Sequence, residues 1–288
     1  MPGFQEIDSR ASLFEIRKGK HRMRYLLTND DGIYAKGLSD LYQELSREAD
    51  CLIVAPEVER SAVGHAITLN RPLMVRRAKK DGNFLGYAVS GTPADCVKIG
   101  IKELSEKPVD LVVSGINIGA NVGINVIYSG TVSAATEGAI LGVPSMAISL
   151  GTLRNADYSF AAYFARSMAR FMMKYFAGKS VALNINVPAL PAQEIKGIAV
   201  TRQGKARLIE SFDRRVDPRE RLYYWLAGET QLSEQEEPDS DGSALSRGMI
   251  SITPIYHDMT RYDALDGLKT LLAQENNILP IVKCERIE

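Results

Sequence analysis

The sequence predicts a doubly wound α/β fold, and three observations carry that expectation. "MRYLLT" (23–28), "CLIVAP" (51–56), "DLVVSG" (110–115) and "PSMAISL" (144–150) are short, near-continuous apolar runs. Such runs suit strands buried on both faces of a parallel sheet. Helical patterns fall between and after them, at 35–48, 94–105, 131–141 and 156–177. Polar, glycine-bearing loops follow several strand runs, at the edge where an open parallel sheet binds its ligands.

Taken in order, residues 1–22 are basic but hold three acids and no apolar signal core, so they read as a surface extension. The α/β core is expected over 23–200. Within it, "PLMVRRA" and "FLGYAVSG" bracket "KKDGN" and read as a hairpin. In "ADYSFAAYFARSMARFMMKYFA" the aromatic and methionine positions recur at helical spacing and read as a face packed on the sheet. The whole is a Rossmann-like, mostly parallel sheet. Residues 201–288 change character: charge, turn residues and short β-like pieces, then a helix at 259–275 with leucines on one face. Residues 229–241 hold six acids and no bases and read as an exposed loop. This C-terminal arm packs either on another subunit or back on its own core.

Composition narrows the partners. The chain has 288 residues, 45% of them hydrophobic, and lysine plus arginine equals aspartate plus glutamate at 35 each. That balance gives no reason to expect a nucleic acid as partner. No run reaches the roughly 18 apolar residues of a membrane span, so no membrane is expected. The cysteines, Cys51, Cys96 and Cys284, match no metal motif and read as reduced thiols of a cytoplasmic protein.

The chemistry gathers at "LLTNDDGIYAKGL" (26–38). Neighbouring side chains of a strand point to opposite faces, so Asp30 and Asp31 converge only if the strand ends there, and Gly32 eases that turn. Two adjacent carboxylates repel unless a proton or a cation neutralises them. Oxygen ligands favour Mg²⁺, Mn²⁺ or Ca²⁺ over zinc. A helix cap beside a solvated turn acid is the alternative reading of the pair. Three further loops join them: "APEVERSAVGHAITL" with Ser61 and His65, "GTPADCVKIG", and "SGINIGANVGINVIYSGTVSAA" with Asn117, Asn121 and Asn125. In the last, Ser129, Gly130 and Thr131 open a helix, where backbone N–H groups and hydroxyls form an anion site. A cation site beside a phosphate site is what metal-assisted phosphoryl hydrolysis needs.

At these residues the sequence resembles the SurE family of nucleotidases. The matching blocks are "LLTNDDGI", "VAPEVERSAVGHAIT", "GTPADCVKIG", "DLVVSGINIGANVG", "YSGTVSAATEGA" and "NINVP", in family order, with "VTRQG" and "MISITPI" beyond. The resemblance implies a metal-dependent phosphatase acting on nucleoside 5′- and 3′-monophosphates, with activity on short polyphosphate. It implies one divalent cation per subunit, Mg²⁺ or Mn²⁺ with Ca²⁺ as another occupant, held by Asp30, Asp31, Ser61 and Asn117. It places Ser129, Gly130 and Thr131 near the phosphate with Asn121 close by. It implies a homodimer or tetramer formed by exchange of the C-terminal arm. Departures from the family pattern lie at Glu57, at "SAVGH", at Ile118 and before Tyr128, where an acidic pair is often seen; the metal set is intact.

The expected catalytic residues are Asp30, Asn117 and His65, the last as general acid for the leaving ribose oxygen. Two rivals predict other outcomes. A metal-dependent glycosyl transfer enzyme would bind nucleotide-sugars and release no phosphate. A non-catalytic nucleotide- or metal-binding oligomerisation module would bind without turnover.

Overall fold

The computed structural model describes residues 22–231 and 237–274. The expected extension, apart from Arg22, lies outside the described residues, as does Cys284. One compact unit runs to Tyr256, and a second begins at His257.

The first unit is built on a nine-stranded sheet in the order β3-β4-β2-β1-β5-β6-β7-β11-β8. Its strands are β1 (Arg24–Thr28), β2 (Asp50–Pro56), β3 (Val75–Lys80), β4 (Asn83–Val89), β5 (Leu111–Ile118), β6 (Ser145–Leu150), β7 (Ala182–Val187), β8 (Ile198–Val200) and β11 (Ile250–Ile255). From β4 through β7 all pairings are parallel. β3 closes one side as the antiparallel hairpin with β4, and β11 pairs antiparallel with β7. The chain leaves β1 toward β2, then crosses to lay β5 on the other side of β1. The crevice between the carboxyl ends of β1 and β5 is therefore the topological switch point.

Helices cover both faces. They are α1 (Lys36–Leu45), α2 (Pro93–Ile99), α3 (Gly130–Ile140) and α4 (Ser159–Tyr175), and a short α5 (Asp241–Ser246) precedes β11. Alternate residues of β1 divide the core. Tyr25 and Leu27 pack with Leu38 and Leu41 of α1 and Met168 and Met172 of α4. Leu26 packs on the other face with Cys96 and Val97 of α2 and Ala134 of α3. Fully burying one such side chain contributes roughly 1.5–3 kcal/mol. The aromatic and methionine stripe of α4 is thus core.

The region after residue 200 differs from a simple arm. β11 joins the central sheet, because "ISITPI" supplies a strand whose first two residues are buried beside β7. β9 (Arg207–Val216) and β10 (Leu222–Gln231) form a separate antiparallel hairpin. The stretch expected as an exposed loop, 229–241, begins in β10 and ends at the buried Ser240 and Asp241; residues 232–236 lie outside the described residues. Asp241 is buried because its carboxylate accepts from the Gly123, Gly204 and Gly242 amides at 2.8–3.2 Å. The second unit holds a short 3₁₀ turn at Tyr262–Ala264 followed by α6 (Leu265–Gln274), within the helix expected at 259–275.

α1 approaches the sheet through Gly37, where a Cβ would lie 2.0 Å from the Ile116 carbonyl oxygen. Alanine is the better helix former by about 1 kcal/mol. Here the clash with strand backbone outweighs that gain. Gly37→Ala is expected to lower stability by about 1–3 kcal/mol, the scale of overpacking. Urea unfolding measures it; an unchanged or raised midpoint would disprove this packing account.

Candidate active site

β1 ends at Thr28, and the turn that follows carries the two carboxylates. Asn29 is buried and its Nδ2 donates to the Gly32 carbonyl at 3.0 Å, closing the turn. Gly32 has φ +99°, a left-handed conformation that glycine adopts without strain. The Ile33 amide donates to the Pro56 carbonyl at 2.9 Å, and the Arg60 amide to the Asp30 carbonyl at 2.7 Å. The loop after β2, which carries Ser61, is thereby stitched to the carboxylate turn.

Asp30 is 5% exposed. The Thr131 hydroxyl donates to its Oδ1, and the Gly130 and Thr131 amides also bond its carboxylate. The carboxylate thus sits on the N-terminus of α3, where unpaired amides and the helix dipole favour negative charge. A side chain at position 130 would meet the Asp30 Cβ at 2.7 Å, so only glycine permits this approach. Burial pushes the Asp30 pKa up, against the opposing pull of those hydrogen bonds.

Asp31 reaches across the switch point to the Ile118 amide of β5. Burial, then the charges of Asp30 and Glu59, push its pKa up to about 6. Asn117 precedes Ile118, just after a register shift between Gly115 and Asn117 that breaks the β5–β6 ladder. Bulges of this kind re-aim side chains beside sites. The Asn117 Nδ2 donates to the Gly119 carbonyl at 2.7 Å, which leaves its Oδ1 as the unengaged oxygen. Ser61 is exposed, and its hydroxyl donates to Glu59 at 2.6 Å. Among the described residues no three His, Cys, Asp or Glu side chains cluster in metal-binding fashion. The donors gathered here are two carboxylates with neutral oxygens nearby.

The remaining expected residues fall into two groups. Ser129 caps α3, its Oγ accepting from the Val132 amide at 3.1 Å, and with Gly130 and Thr131 it borders the carboxylates. Asn121 is buried and held by other elements. Its amide donates to Asn186 Oδ1 at 2.8 Å, its Nδ2 to Ser149 Oγ at 2.8 Å, and its carbonyl accepts from Asn184 and Asn186. The β5–α3 loop is therefore anchored at Asn121 by strands β6 and β7 and at Gly123 by Asp241. Sequence reasoning missed Asn184, Asn186 and Asp241. The asparagines in "ALNINV" interrupt an otherwise apolar run, which was the available signal.

His65 lies on the same loop as Ser61. Gly64 donates to the Tyr128 carbonyl at 3.0 Å, so His65 is seated next to the Ser129 motif. Its Nε2 is 2.8 Å from Glu137 Oε2 of α3, and Lys98 of α2 donates to the other Glu137 oxygen. Thr68 and Thr92, bonded to Asp95 and to the Ala66 carbonyl, pin this loop to the α2 capping box. Glu137, Lys98 and Asp95 were not foreseen; the single acid in "TVSAATEGAI" was the signal for the first.

Fold and site together define an open-sheet α/β protein with a hard oxygen-donor site at its switch point. The family described as Survival protein SurE matches residues 25–210. A 5′-nucleotidase SurE of Syntrophus aciditrophicus (strain SB) is 91% identical over 263 residues, 91% of this chain and 99% of that protein. A second, from Syntrophobacter fumaroxidans, is 53% identical over 85% of this chain and 98% of its own length. The crystal structure of the SurE protein from Aquifex aeolicus superposes with a TM-score of 0.74 at 39% identity, covering 86% of this chain and 99% of that one. This chain belongs to the SurE family.

The raised pKa of Asp31 has a signed consequence. Its folded value, about 6, lies above the ordinary 3.8, so the folded state holds this proton more tightly than the unfolded one. That contribution is full below about pH 4 and is lost as pH rises through about 6. In chelator, wild type and Asp31→Asn should have similar Tm near pH 4, and the variant should be the more stable above pH 6. Thermal melts across that range check it; parallel curves would show that Asp31 carries no such penalty.

Proposed function

We propose that this chain is a nucleotide phosphomonoesterase that hydrolyses nucleoside 5′-monophosphates to nucleoside and phosphate with the help of a divalent cation. The observation that carries this reading is the Asp30–Asp31 pair at the switch point, Asp30 buried and Asp31 half-buried, both with raised pKa. Two carboxylates whose protons are held by burial, and at Asp31 also by the charges of Asp30 and Glu59, gain the most from a neutralising cation. The free Asn117 Oδ1 and the Ser61 hydroxyl, on the loop stitched to Asp30, complete a set of hard donors suited to Mg²⁺ or Mn²⁺, with Ca²⁺ able to occupy it. When bound, the cation neutralises phosphate charge and lowers the pKa of a coordinated water.

The chain's own groups supply the rest. Asp30 is fixed by the α3 N-terminus, so it is presented in one orientation. Ser129, Gly130 and Thr131 border the position where phosphate oxygens are held as charge develops. Asn121 acts by anchoring the loop that carries Asn117. His65 protonates the leaving ribose oxygen. Nucleoside 3′-monophosphates and short polyphosphate present the same terminal phosphate and fall within the same reading.

The assembly belongs to this proposal as well. On the β9–β10 hairpin, Phe212, Tyr224, Trp225 and Leu226 are each more than half exposed. Exposed aromatic and apolar side chains on one hairpin support docking on a second copy of the chain, as a homodimer or a tetramer. Free Cys51, half-buried, and Cys96, buried, support a reducing, cytoplasmic setting. Among the described residues no helix is long and apolar enough to cross a membrane.

Phosphate release from a panel of nucleoside monophosphates should vanish with chelator and return with Mg²⁺ or Mn²⁺. Asp30→Asn should lower it by about two orders of magnitude or more, the scale of losing one electrostatic stabiliser. Near wild-type turnover in that variant would overturn the assignment of Asp30. Trp225 is the only tryptophan in the chain. Trp225→Asp should shift light-scattering mass toward the monomer; an unchanged mass would remove the hairpin from the interface.

A further inference from the structure

The group formed by His65, Glu137 and Lys98 is not used by the cation site, and its geometry is specific. Glu137 lies on α3 seven residues after Gly130, two helical turns along the same face. Its side chain is 3% exposed, whereas those of His65 and Lys98 are 32% and 40% exposed. Each carboxylate oxygen has its own partner, His65 Nε2 on one and Lys98 Nζ on the other. Burial pushes the Glu137 pKa up, but the hydrogen bonds and charges of His65 and Lys98 outweigh it and hold it below the usual range. Glu137 is therefore ionised and accepts only, so the proton in this bond sits on His65 Nε2. The ring has Nδ1 left for another partner.

We propose that Glu137 is a positioning residue for His65, with Lys98 setting how strongly it acts. This rests on His65 being the proton donor of the proposed reaction. In the protonated imidazole, Nε2–H stays on Glu137 and Nδ1–H faces the leaving oxygen. As a water oxygen forms its bond to phosphorus, the bond to the ribose oxygen breaks with its electron pair. That oxygen takes the Nδ1 proton, and the attacking water's proton returns to solvent. Neutral His65 keeps Nε2–H on Glu137, so the same tautomer is ready to be recharged from solvent at Nδ1.

The surrounding charges bear on this assignment. The elements packed around the loop contribute Glu137 from α3 and Lys98 and Asp95 from α2; the loop itself carries Glu57, Glu59, Arg60 and Arg71, and Glu57 pairs with Arg76. Asp95 is committed to Thr68 and Thr92, and Glu59 to Ser61. Arg60 donates to the Ser90 carbonyl. Glu137 alone among these contacts the imidazole, and Lys98 competes for its charge. The two neighbours therefore act on His65 in opposite senses.

The test compares pH profiles of kcat for a nucleoside monophosphate and for p-nitrophenyl phosphate, whose leaving group needs no proton. His65→Ala should lose about a hundredfold or more on the nucleotide, the scale of general acid catalysis, and far less on the nitrophenyl ester. Glu137→Gln should reproduce that selective loss at about tenfold, typical of an outer hydrogen-bond partner. Its basic limb should also move about one pH unit lower. Lys98→Met, which leaves Glu137 its full pull on His65, should move the limb in the opposite direction. It serves as the second variant if Glu137→Gln does not fold. Equal losses on both substrates for His65→Ala would overturn the proton-donor reading itself. A substrate-selective His65→Ala, with the basic limb unmoved in Lys98→Met and in any folded Glu137→Gln, would leave that reading standing and overturn the role of Glu137.

Discussion

A carboxylate buried at the carboxyl end of a parallel sheet loses its water and must be compensated by what surrounds it. At Asp30 the compensation is the N-terminus of α3, two amides and the Thr131 hydroxyl, delivered across more than a hundred residues of chain. That contact sets much of the rest. It requires glycine at 130, it fixes where α3 begins, and through α3 it fixes where Glu137 lies. The loop after β2 is drawn in by the bond from the Arg60 amide to the Asp30 carbonyl. One buried charge thus brings three loops together at one edge of the sheet.

The anion site at the start of α3 was expected for phosphate, and in this structure it holds a side-chain carboxylate. The physics is the same, since amides at a helix start favour any negative charge. The consequence differs. In the proposed reaction, donors spent on Asp30 would orient a carboxylate that holds the cation, and a phosphate beside it would rely on the remaining donors and on that cation. The compensation at Asp30 is incomplete: its pKa is still raised, and that of Asp31 reaches about 6. A site left short of positive charge suits the binding of a cation.

The C-terminal segment has two roles. β11 completes the sheet, and Asp241 clamps the β5–α3 loop at Gly123, so the segment supports the site from behind. The β9–β10 hairpin forms a separate two-stranded sheet with aromatic side chains exposed. Composition alone could not separate the hairpin from the Asp241 segment, because both are rich in charge and turn residues.

The sequence by itself determined the strand and helix order, because fully buried strands must be apolar throughout and helices must carry a 3.6-residue stripe. It also determined that Asp30, Asp31 and the Ser129–Thr131 motif lie at one edge, because strand ends in a doubly wound sheet share that edge. Local pattern carried this much because each signal is contained in a few neighbouring residues. Only the tertiary structure decided which donors meet which acceptors. Thr131 on Asp30, Asn186 on Asn121, Asp241 on Gly123 and Glu137 on His65 are separated by 65 to 118 residues in the chain. A buried polar side chain costs free energy unless a partner satisfies it, and that partner is set by how the elements pack rather than by spacing along the chain.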